Sequence, residues 1–428
     1  MLAAGVILAV TYLGIAFGHL PRVNIDRPAA AVSGAVVMIL AGVLTFQKAV
    51  SAIDFNTLAL LFGMMCLVAV LRRGGFFTLL TVKSLAVART PAGLMVMVVL
   101  ATAVTSAVLV NDVVVLLFTP VVIQACRMRR VDPIPYLVGE AMASNIGSTA
   151  TIVGNPQNML IGVVSGVSFS RFFAHLAPVA AVATLILLVV LWIGYRNRIA
   201  QRQLGPSEQP GTDTEGGILG RPALTIPVDR DSLLRSIPVL GLATVAFFLS
   251  SSLGWSIPMI ALTAGVASMV VSGVKPSDVM RDVDWVLLAF FGGLFVVIGG
   301  ARQAGLLDTV LDHVNIQATA AGIVSLHLFS GAVSQLVSNV PLTVLLLPLL
   351  ETVPGDTLWI SLAAGATLAG NATLIGAVAN IIVAEQAYRD GVVVGFWEFF
   401  KVGVAVTTLT IGASIGILLS EHELGFLR

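Results

Sequence analysis

Polar side chains that could bind a solute are concentrated in four short stretches of an otherwise apolar chain. Two of these are the pairs Asn111-Asp112 and Ser338-Asn339, and the other two are the segments 144–158 and 370–380. Amide and hydroxyl groups both donate and accept hydrogen bonds, so together they suit a small solute with several hydroxyls. The predicted substrate-binding residues are Asn111, Asn145, Ser148, Thr149, Thr151, Asn155, Asn158, Ser338, Asn339, Asn371, Thr373 and Asn380.

Two carboxylates lie within apolar sequence, where ionisable groups usually have a function. We predict that Asp112 couples transport to protons, and the alternative is that it only caps a helix by accepting backbone N–H bonds. Glu140 is predicted either as a second proton carrier or as the partner of a polar group in a packed interface. His327 is predicted to be structural. None of the five histidines has a metal-ligand spacing such as H-E-x-x-H, so no metal or cofactor is expected.

The composition assigns the chain to the membrane. Of its 428 residues, 57% are hydrophobic and 11% are charged, and the mean hydropathy is +1.00. Soluble domains carry about 25% charged residues, so most of this chain is expected to lie in lipid as a helical bundle. A net charge of +1 excludes an electrostatic nucleic-acid binder, and two cysteines, Cys66 and Cys126, exclude a disulfide framework.

Two apolar runs are too long for one membrane crossing and too short for two. The runs at about 93–125 and 317–350 each carry one of the polar pairs. An asparagine or aspartate at the midplane is costly unless the chain turns there inside protein. Both runs are therefore predicted to be re-entrant hairpins, and the tip of the first is placed at Val110-Asn111-Asp112.

The other two polar stretches are predicted to interrupt membrane helices. The first broken helix is placed at about 134–165, where Gly154 and Pro156 stop the helical hydrogen bonding. Its counterpart at about 358–388 has a similar pattern without the proline. A broken helix leaves bare amide and carbonyl groups, which must face a cavity or a ligand.

These features recur at nearly constant spacing along the chain. Asn111 and Asn339 are 228 residues apart, and Asn158 and Asn380 are 222 apart. The chain is therefore predicted to be an all-α polytopic membrane protein, built as an inverted repeat of two five-helix units, each with a re-entrant hairpin and a broken helix. The predicted domains are a first transmembrane repeat, a cytoplasmic linker and a second transmembrane repeat, at 1–197, 198–233 and 234–428.

The basic residues predict the orientation of this layout. Of the 23 Lys and Arg residues, 19 fall on one side and four on the other, namely Lys48, Arg171, Arg302 and Arg428. Basic residues accumulate in cytoplasmic loops, so the rich side is predicted to be cytoplasmic. Both termini are then extracytoplasmic, the linker is cytoplasmic, and the protein is expected in the inner (plasma) membrane.

The motifs resemble those of the ion transporter superfamily, and within it the arsenite permease and sodium/proton antiporter group. The residues that carry the resemblance are Asn111-Asp112 with the following Leu117-Phe118-Thr119-Pro120, the segment 144–158 and Ser338-Asn339. Related dicarboxylate/sodium symporters have Ser-Asn-Thr at both tips. This chain departs from them at 110–112 and 338–340, which weighs against dicarboxylate transport. The resemblance also implies a possible homodimer and a possible soluble ATPase subunit.

The leading hypothesis from the sequence is a secondary active transporter that exports arsenite, or antimonite, as the neutral trihydroxide in exchange for protons. No Lys or Arg lies in the four polar stretches, which disfavours a strong anion. The alternative is a sodium- or proton-coupled transporter of sulfate, a dicarboxylate or another anion, or a sodium/proton antiporter. The protein is not expected to be an enzyme, and its partners are the solute, protons and the lipid bilayer.

Overall fold

The computed structural model describes residues 1–17, 26–80, 90–200, 228–306 and 317–427, and these contain helices and no β-strand. A short 3-10 helix, Ile152–Gly154, lies between α7 and α8. The α-helices are α1 Leu2–Phe17, α2 Arg27–Leu40, α3 Phe46–Ala52, α4 Phe55–Arg73, α5 Pro91–Val108, α6 Asn111–Arg129, α7 Ile134–Thr149, α8 Pro156–Ser165, α9 Phe169–Ala200, α10 Arg230–Leu253, α11 Ile257–Val271, α12 Pro276–Asp282, α13 Trp285–Gln303, α14 Ala320–Val337, α15 Asn339–Leu350, α16 Thr357–Ala369, α17 Val378–Arg389 and α18 Phe396–Glu423.

The helices form two matching series, α1–α9 and α10–α18. A helix of each series packs against a helix of the other. Helix α4 packs on α11 of the other series, and its equivalent α13 packs on α2. The equivalent helices α4 and α13 run in opposite directions. Arg73 at the end of α4 bonds Asp282 just before α13, whereas Phe62 in the middle of α4 contacts Trp285, at the start of α13. The all-helical inverted repeat predicted from the sequence is thus confirmed.

Glycines allow these two helix pairs to approach closely. A Cβ atom on Gly63 would lie 2.4 Å from the backbone carbon of Ala261, and one on Gly293 would lie 2.7 Å from that of Ala31. Gly63 and Gly293 are 230 residues apart, as are Ala31 and Ala261. The repeat therefore preserves a backbone contact that no larger residue could make without moving a helix.

Each predicted re-entrant hairpin is a pair of helices with a very short turn. In the first, α5 and α6 are joined by Leu109-Val110, so that Asn111 and Asp112 begin the second arm. In the second, α14 and α15 are joined at Ser338, which has a φ of 71°. Positive φ is uncommon in a residue other than glycine, so the second turn is the more strained of the two.

Helix α9 ties the two broken helices together. Arg171 near its start forms an ion pair with Asp356, which precedes α16. Arg198 near its other end lies 3.3 Å from Asp132, which precedes α7. Both broken helices are thus attached by ion pairs to opposite ends of one continuous 32-residue helix.

The protein is a multi-pass membrane protein. Within the described ranges, α4, α5, α6, α9, α10, α13, α14 and α18 are long and apolar enough to cross a bilayer. The short helices α3 and α12 were not predicted from the sequence. Each has only seven residues, too few to form an apolar run that could cross a membrane. Most of the predicted linker, residues 201–227, lies outside the described residues. The side of the membrane that each terminus faces stays a prediction.

The close approach at Gly293 predicts the effect of adding one methyl group. Gly293→Ala should lower the free energy of unfolding by about 1–3 kcal/mol, because α13 and α2 must move apart. Gly292→Ala is the matched control, since no atom of the described residues lies within 4 Å of the position its Cβ would take. Thermal unfolding of the purified protein in detergent measures both. Equal midpoints for the two variants would show that this contact does not limit stability.

Candidate substrate site

Both hairpin turns and both helix breaks border a single cavity of about 140 Å³. The wall is formed by the starts of α2, α6, α8, α13, α15 and α17, together with Asn145 of α7. The lining residues are Arg27, Asn111, Asp112, Asn145, Pro156, Gln157, Asp284, Leu287, Phe290, Ser338, Asn339, Val340, Pro341, Ala377, Val378 and Ile382.

Asn145 connects the hairpin and the two broken helices. Its Oδ1 accepts a hydrogen bond from Asn111 Nδ2 at 3.2 Å. Its own Nδ2 donates to Asn371 Oδ1 at 2.9 Å and to Asn380 Oδ1 at 3.0 Å. Asn145 is 2% exposed. One buried amide therefore holds together the first hairpin and the breaks of both repeats.

Two equivalent asparagines pair the carbonyl groups that the helix breaks leave free. Asn158 Nδ2 donates to the carbonyls of Ser148 at 3.0 Å and Thr151 at 3.1 Å. Asn380 Nδ2 makes the same two bonds, to Gly370 at 2.7 Å and Thr373 at 3.0 Å. Each of these positions in the first repeat is matched 222 residues later. The asparagines are needed because an unpaired buried carbonyl is costly.

The breaks differ in how their second helical half is capped. Asn155 Oδ1 accepts from the backbone N–H of Asn158 and so caps α8. The equivalent position before α17 is Ala377, which has no capping side chain. At the second break, Gln335 of the neighbouring hairpin accepts from Thr373 Oγ1 at 2.9 Å and donates to the carbonyl of Ala369 at 2.7 Å.

Further hydrogen bonds join the two repeats behind the cavity. Thr367 of α16 accepts from the amides of Asn155 and Gln157, and donates to Asn158 Oδ1 at 3.3 Å. Thr367 occupies the position in the second repeat that matches Asn145 in the first, 222 residues earlier. The polar network is therefore continuous between α7, α8 and α16.

Some buried polar atoms of the network have no partner within the described part of the chain. They include Oδ1 of Asn111 and Oδ1 of Asn339, which belong to equivalent hairpin residues lining the cavity. Asn111 is 4% exposed and Asn339 is 5% exposed. Buried polar atoms are normally paired, so two equivalent free acceptors at one cavity indicate places where a ligand donates hydrogen bonds or a cation binds.

The backbone makes one wall of the cavity electropositive. Helices α6, α8, α15 and α17 all begin at it, and of these only α8 has a side-chain cap. The free N–H groups at a helix start carry a partial positive charge and bind anions. Arg27 adds a full positive charge, and no ion-pair partner for it lies among the described residues.

Two carboxylates face this positive wall. Asp112 lies in the first turn of α6, and Asp284 precedes α13, where it accepts from the backbone N–H of Leu287. No hydrogen bond to the Asp112 carboxylate is found among the described residues, and both alternatives for it, proton coupling and helix capping, stay predictions. With Arg27, the cavity therefore contains two acids and one base, beside the wall formed by the starts of α6, α8, α15 and α17.

The predicted residues fall into two groups in the structure. Those that line the cavity are Asn111, Asp112, Asn145, Ser338 and Asn339. Those that instead bond to backbone carbonyls or to other side chains are Ser148, Thr149, Thr151, Asn155, Asn158, Asn371, Thr373 and Asn380. The second group shapes the cavity without bordering it. A direct role in substrate binding stays a prediction for every residue in both groups.

Glu140 and His327 lie away from the cavity. Glu140 is fully buried between α7 and α6, where its Oε1 accepts from Thr119 Oγ1 at 2.9 Å. This position agrees with the packed-interface alternative. His327 donates from Nδ1 to the carbonyl of Ile323 at 2.9 Å, and its Nε2 lies 3.0 Å from Ser414 Oγ. Both ring nitrogens of His327 are therefore engaged within the protein, and its structural role stays a prediction.

Three polar lining residues were not predicted from the sequence, namely Gln157, Arg27 and Asp284. Gln157 lies inside the first polar stretch and could have been included with its neighbours. Arg27 and Asp284 lie just at the starts of α2 and α13, outside every polar stretch. Only the packing of those helices over the hairpin turns brings these two charges to the cavity.

An inverted helical repeat with a polar cavity between two hairpins and two broken helices defines a membrane transporter. A family model described as citrate transporter matches residues 12–365. The chain belongs to this citrate transporter family.

Relatives of the chain cover most of its length. An uncharacterized transporter of Mycobacterium tuberculosis is 32% identical over 424 residues, which cover 95% of this chain and 96% of that protein. The P protein of Homo sapiens is 28% identical, over 98% of this chain and 60% of its own length. Among solved structures, the YdaH transporter of Alcanivorax borkumensis aligns with a TM-score of 0.59 and 14% identity, covering 100% and 98% of the two chains. The last similarity is one of fold.

At each helix break, one asparagine amide donates to two backbone carbonyls, and removing that amide should destabilise the protein. Asn380→Asp keeps the size of the side chain but removes both donors, leaving the carbonyls of Gly370 and Thr373 unpaired. We expect a loss of about 1–3 kcal/mol in unfolding free energy for each carbonyl. Asn158→Asp should cost a similar amount. Thermal unfolding of both, with the partly exposed Asn56→Asp as control, tests this, and a midpoint of Asn380→Asp equal to that of the control would contradict it.

Proposed function

We propose that this protein is a secondary active transporter that moves a small organic anion of the citrate class, coupled to protons through Asp112. The observation that carries the proposal is the convergence of four helix starts and Arg27 on one cavity. Half-helix starts of this kind hold the anionic groups of substrates in transporters with inverted repeats. The description of the family model agrees with this class of substrate.

The positive wall of the cavity suits carboxylate groups. Three of its four helix starts lack a side-chain cap, so their first N–H groups are free to donate to an anion. Arg27 can pair with a carboxylate in a two-pronged geometry. The free amide oxygens of Asn111 and Asn339 can accept from a substrate hydroxyl, or from a carboxyl group that carries a proton.

Asp112 gives a physical reason for coupling to protons. A carboxylate on the wall repels an anionic substrate, and the repulsion is strong where water is scarce. Protonation of Asp112 removes that repulsion, so substrate and proton bind better together than either does alone. The coupling is then cotransport of proton and anion in the same direction.

Proton-coupled export of neutral arsenite is the second candidate, which the sequence favoured. The observation in its favour is the set of neutral amides at the two hairpin turns, which suit a solute with three hydroxyls. Against it stand Arg27 and the uncapped helix starts, because a neutral solute gains little from either. Arsenite should therefore be transported less effectively than an organic anion.

The substrate can be identified by flux into liposomes that contain the purified full chain. Radiolabelled citrate, sulfate and arsenite are offered in parallel, each with an inward proton gradient, an outward proton gradient, an inward sodium gradient or none. We expect citrate accumulation driven by the inward proton gradient. Accumulation of arsenite alone, driven by the outward proton gradient, would support the second candidate, and accumulation of citrate driven by sodium alone would contradict the role of protons.

If Asp112 couples transport to protons, its substitution should abolish proton-driven accumulation but leave substrate binding intact. Asp112→Asn resembles the protonated side chain permanently, so the variant should still exchange internal for external citrate at equal pH. It should lose accumulation driven by a proton gradient, by about tenfold or more. Asp231→Asn, an exposed acid at the start of α10, is the matched control and should behave as the unmodified protein. Proton-driven accumulation that survives in Asp112→Asn would refute coupling through this residue.

A further inference from the structure

A second cavity with charged walls lies away from the candidate substrate site, on the outside of the bundle. It is a groove of about 640 Å³ between α9 and α18. The residues that line it are Val190, Ile193, Gly194, Tyr195, Arg198, Glu398, Lys401, Val402 and Ala405. None of them takes part in the substrate site.

The groove is charged at one end and apolar at the other. Arg198 and Glu398 form an ion pair across its mouth, which fixes the two antiparallel helices at this level. From there the groove passes Val402 and ends at Val190 and Ala405. Val190 and Arg198 are eight positions apart, which corresponds to about 12 Å along the helix. This length matches the upper part of a phospholipid below its headgroup.

The surroundings place the charged end at the surface of the bilayer. Both helices are long enough to span the membrane, and Arg198 lies at the end of the apolar part of α9. The exposed Trp192 and Trp397 flank the groove on either helix. Tryptophan is enriched where lipid headgroups meet the hydrocarbon region. The apolar end of the groove therefore points into the hydrocarbon core.

The charged end has unsatisfied groups that suit a phosphate. Arg198 is already paired with Glu398 and with Asp132. Lys401 is exposed and forms no ion pair with any described residue, so it leaves the lining with one net positive charge. The buried hydroxyl of Tyr195 lies near Glu398 but forms no hydrogen bond of normal geometry within the described ranges. Both groups are donors at the level of a lipid phosphate.

Gly194 provides the space in the middle of the groove. A Cβ at this position would lie 3.9 Å from Val402 Cγ2, in ordinary van der Waals contact. A longer side chain there would project into the groove. The lack of a side chain in the middle of a membrane helix thus keeps the groove open.

We propose that this groove is a binding site for one anionic phospholipid, with its phosphate at Lys401 and Tyr195 and its glycerol and upper acyl segment between α9 and α18. Basic pockets between membrane helices at the lipid surface recognise anionic headgroups in this way. The same lipid would also contact Arg198, which holds Asp132 at the start of the first broken helix.

Native mass spectrometry of the purified, delipidated full chain tests the proposal. The protein is titrated with phosphatidylglycerol or phosphatidylcholine, and the apparent Kd of the first bound lipid is measured. We expect phosphatidylglycerol to bind more tightly. Lys401→Gln should weaken its binding about fivefold and leave phosphatidylcholine unchanged, the amount expected for one basic residue at a membrane surface.

A second variant tests the groove itself. Gly194→Leu should abolish the preference for phosphatidylglycerol by filling the space. Its control, Gly241→Leu, adds the same side chain to α10 at a position where the described part of the chain has no atom within 4 Å of the new Cβ. Lys275→Gln is the control for charge. Thermal unfolding midpoints confirm that the variants are folded. Equal binding of the two lipids, or a Kd unchanged by either Lys401→Gln or Gly194→Leu, would overturn the proposal.

Discussion

Backbone groups at membrane depth must find partners inside the protein, and the architecture of the site follows from this requirement. Two helices are interrupted near the centre of the bundle, and each interruption leaves carbonyl groups without helical bonds. Asn158 and Asn380 pair those carbonyls in the same way in both repeats. Once they are paired, the next helical halves begin at the cavity, and their free N–H groups become available to a ligand. The arrangement that pairs the free carbonyl groups thus also forms the candidate binding site.

The two repeats are equivalent in backbone but not in charge. The glycine contacts of α4 and α13 and the asparagine pairs of the breaks are matched closely. The hairpin turns are not, because Asp112 of the first is matched by Val340 in the second. The cavity also takes Arg27 from the first repeat, where the second has Ile257 at the matching position. A symmetric scaffold therefore carries an asymmetric set of charges, and the proposed coupling through a single acid depends on that asymmetry.

The sequence was sufficient to predict the hairpins, the breaks and the repeat, because polar residues are costly inside a long apolar run unless the chain turns or breaks there. It predicted the cavity-lining residues only where these lay in the polar stretches, as for Asn111 and Asn339. It could not place Arg27, which comes to the cavity through packing between helices far apart in the chain. It also could not separate residues that line the cavity from those that pair backbone, since Asn145 and Asn158 lie in the same stretch and have the same side chain. The sequence favoured a neutral solute because no Lys or Arg lies in the four polar stretches. Arg27 places a positive charge at the cavity and so favours an anion.

An experimental density map of the protein with the transported anion bound would test most directly whether two broken helices and two hairpins form one site. We expect density for the anion between the hairpin turns, within hydrogen-bonding distance of Asn111 and Asn339 and beside Arg27. We also expect the asparagine pairs at both breaks to be retained in that complex. Density for the anion outside this cavity, or against only one repeat, would contradict a single site shared by the two repeats.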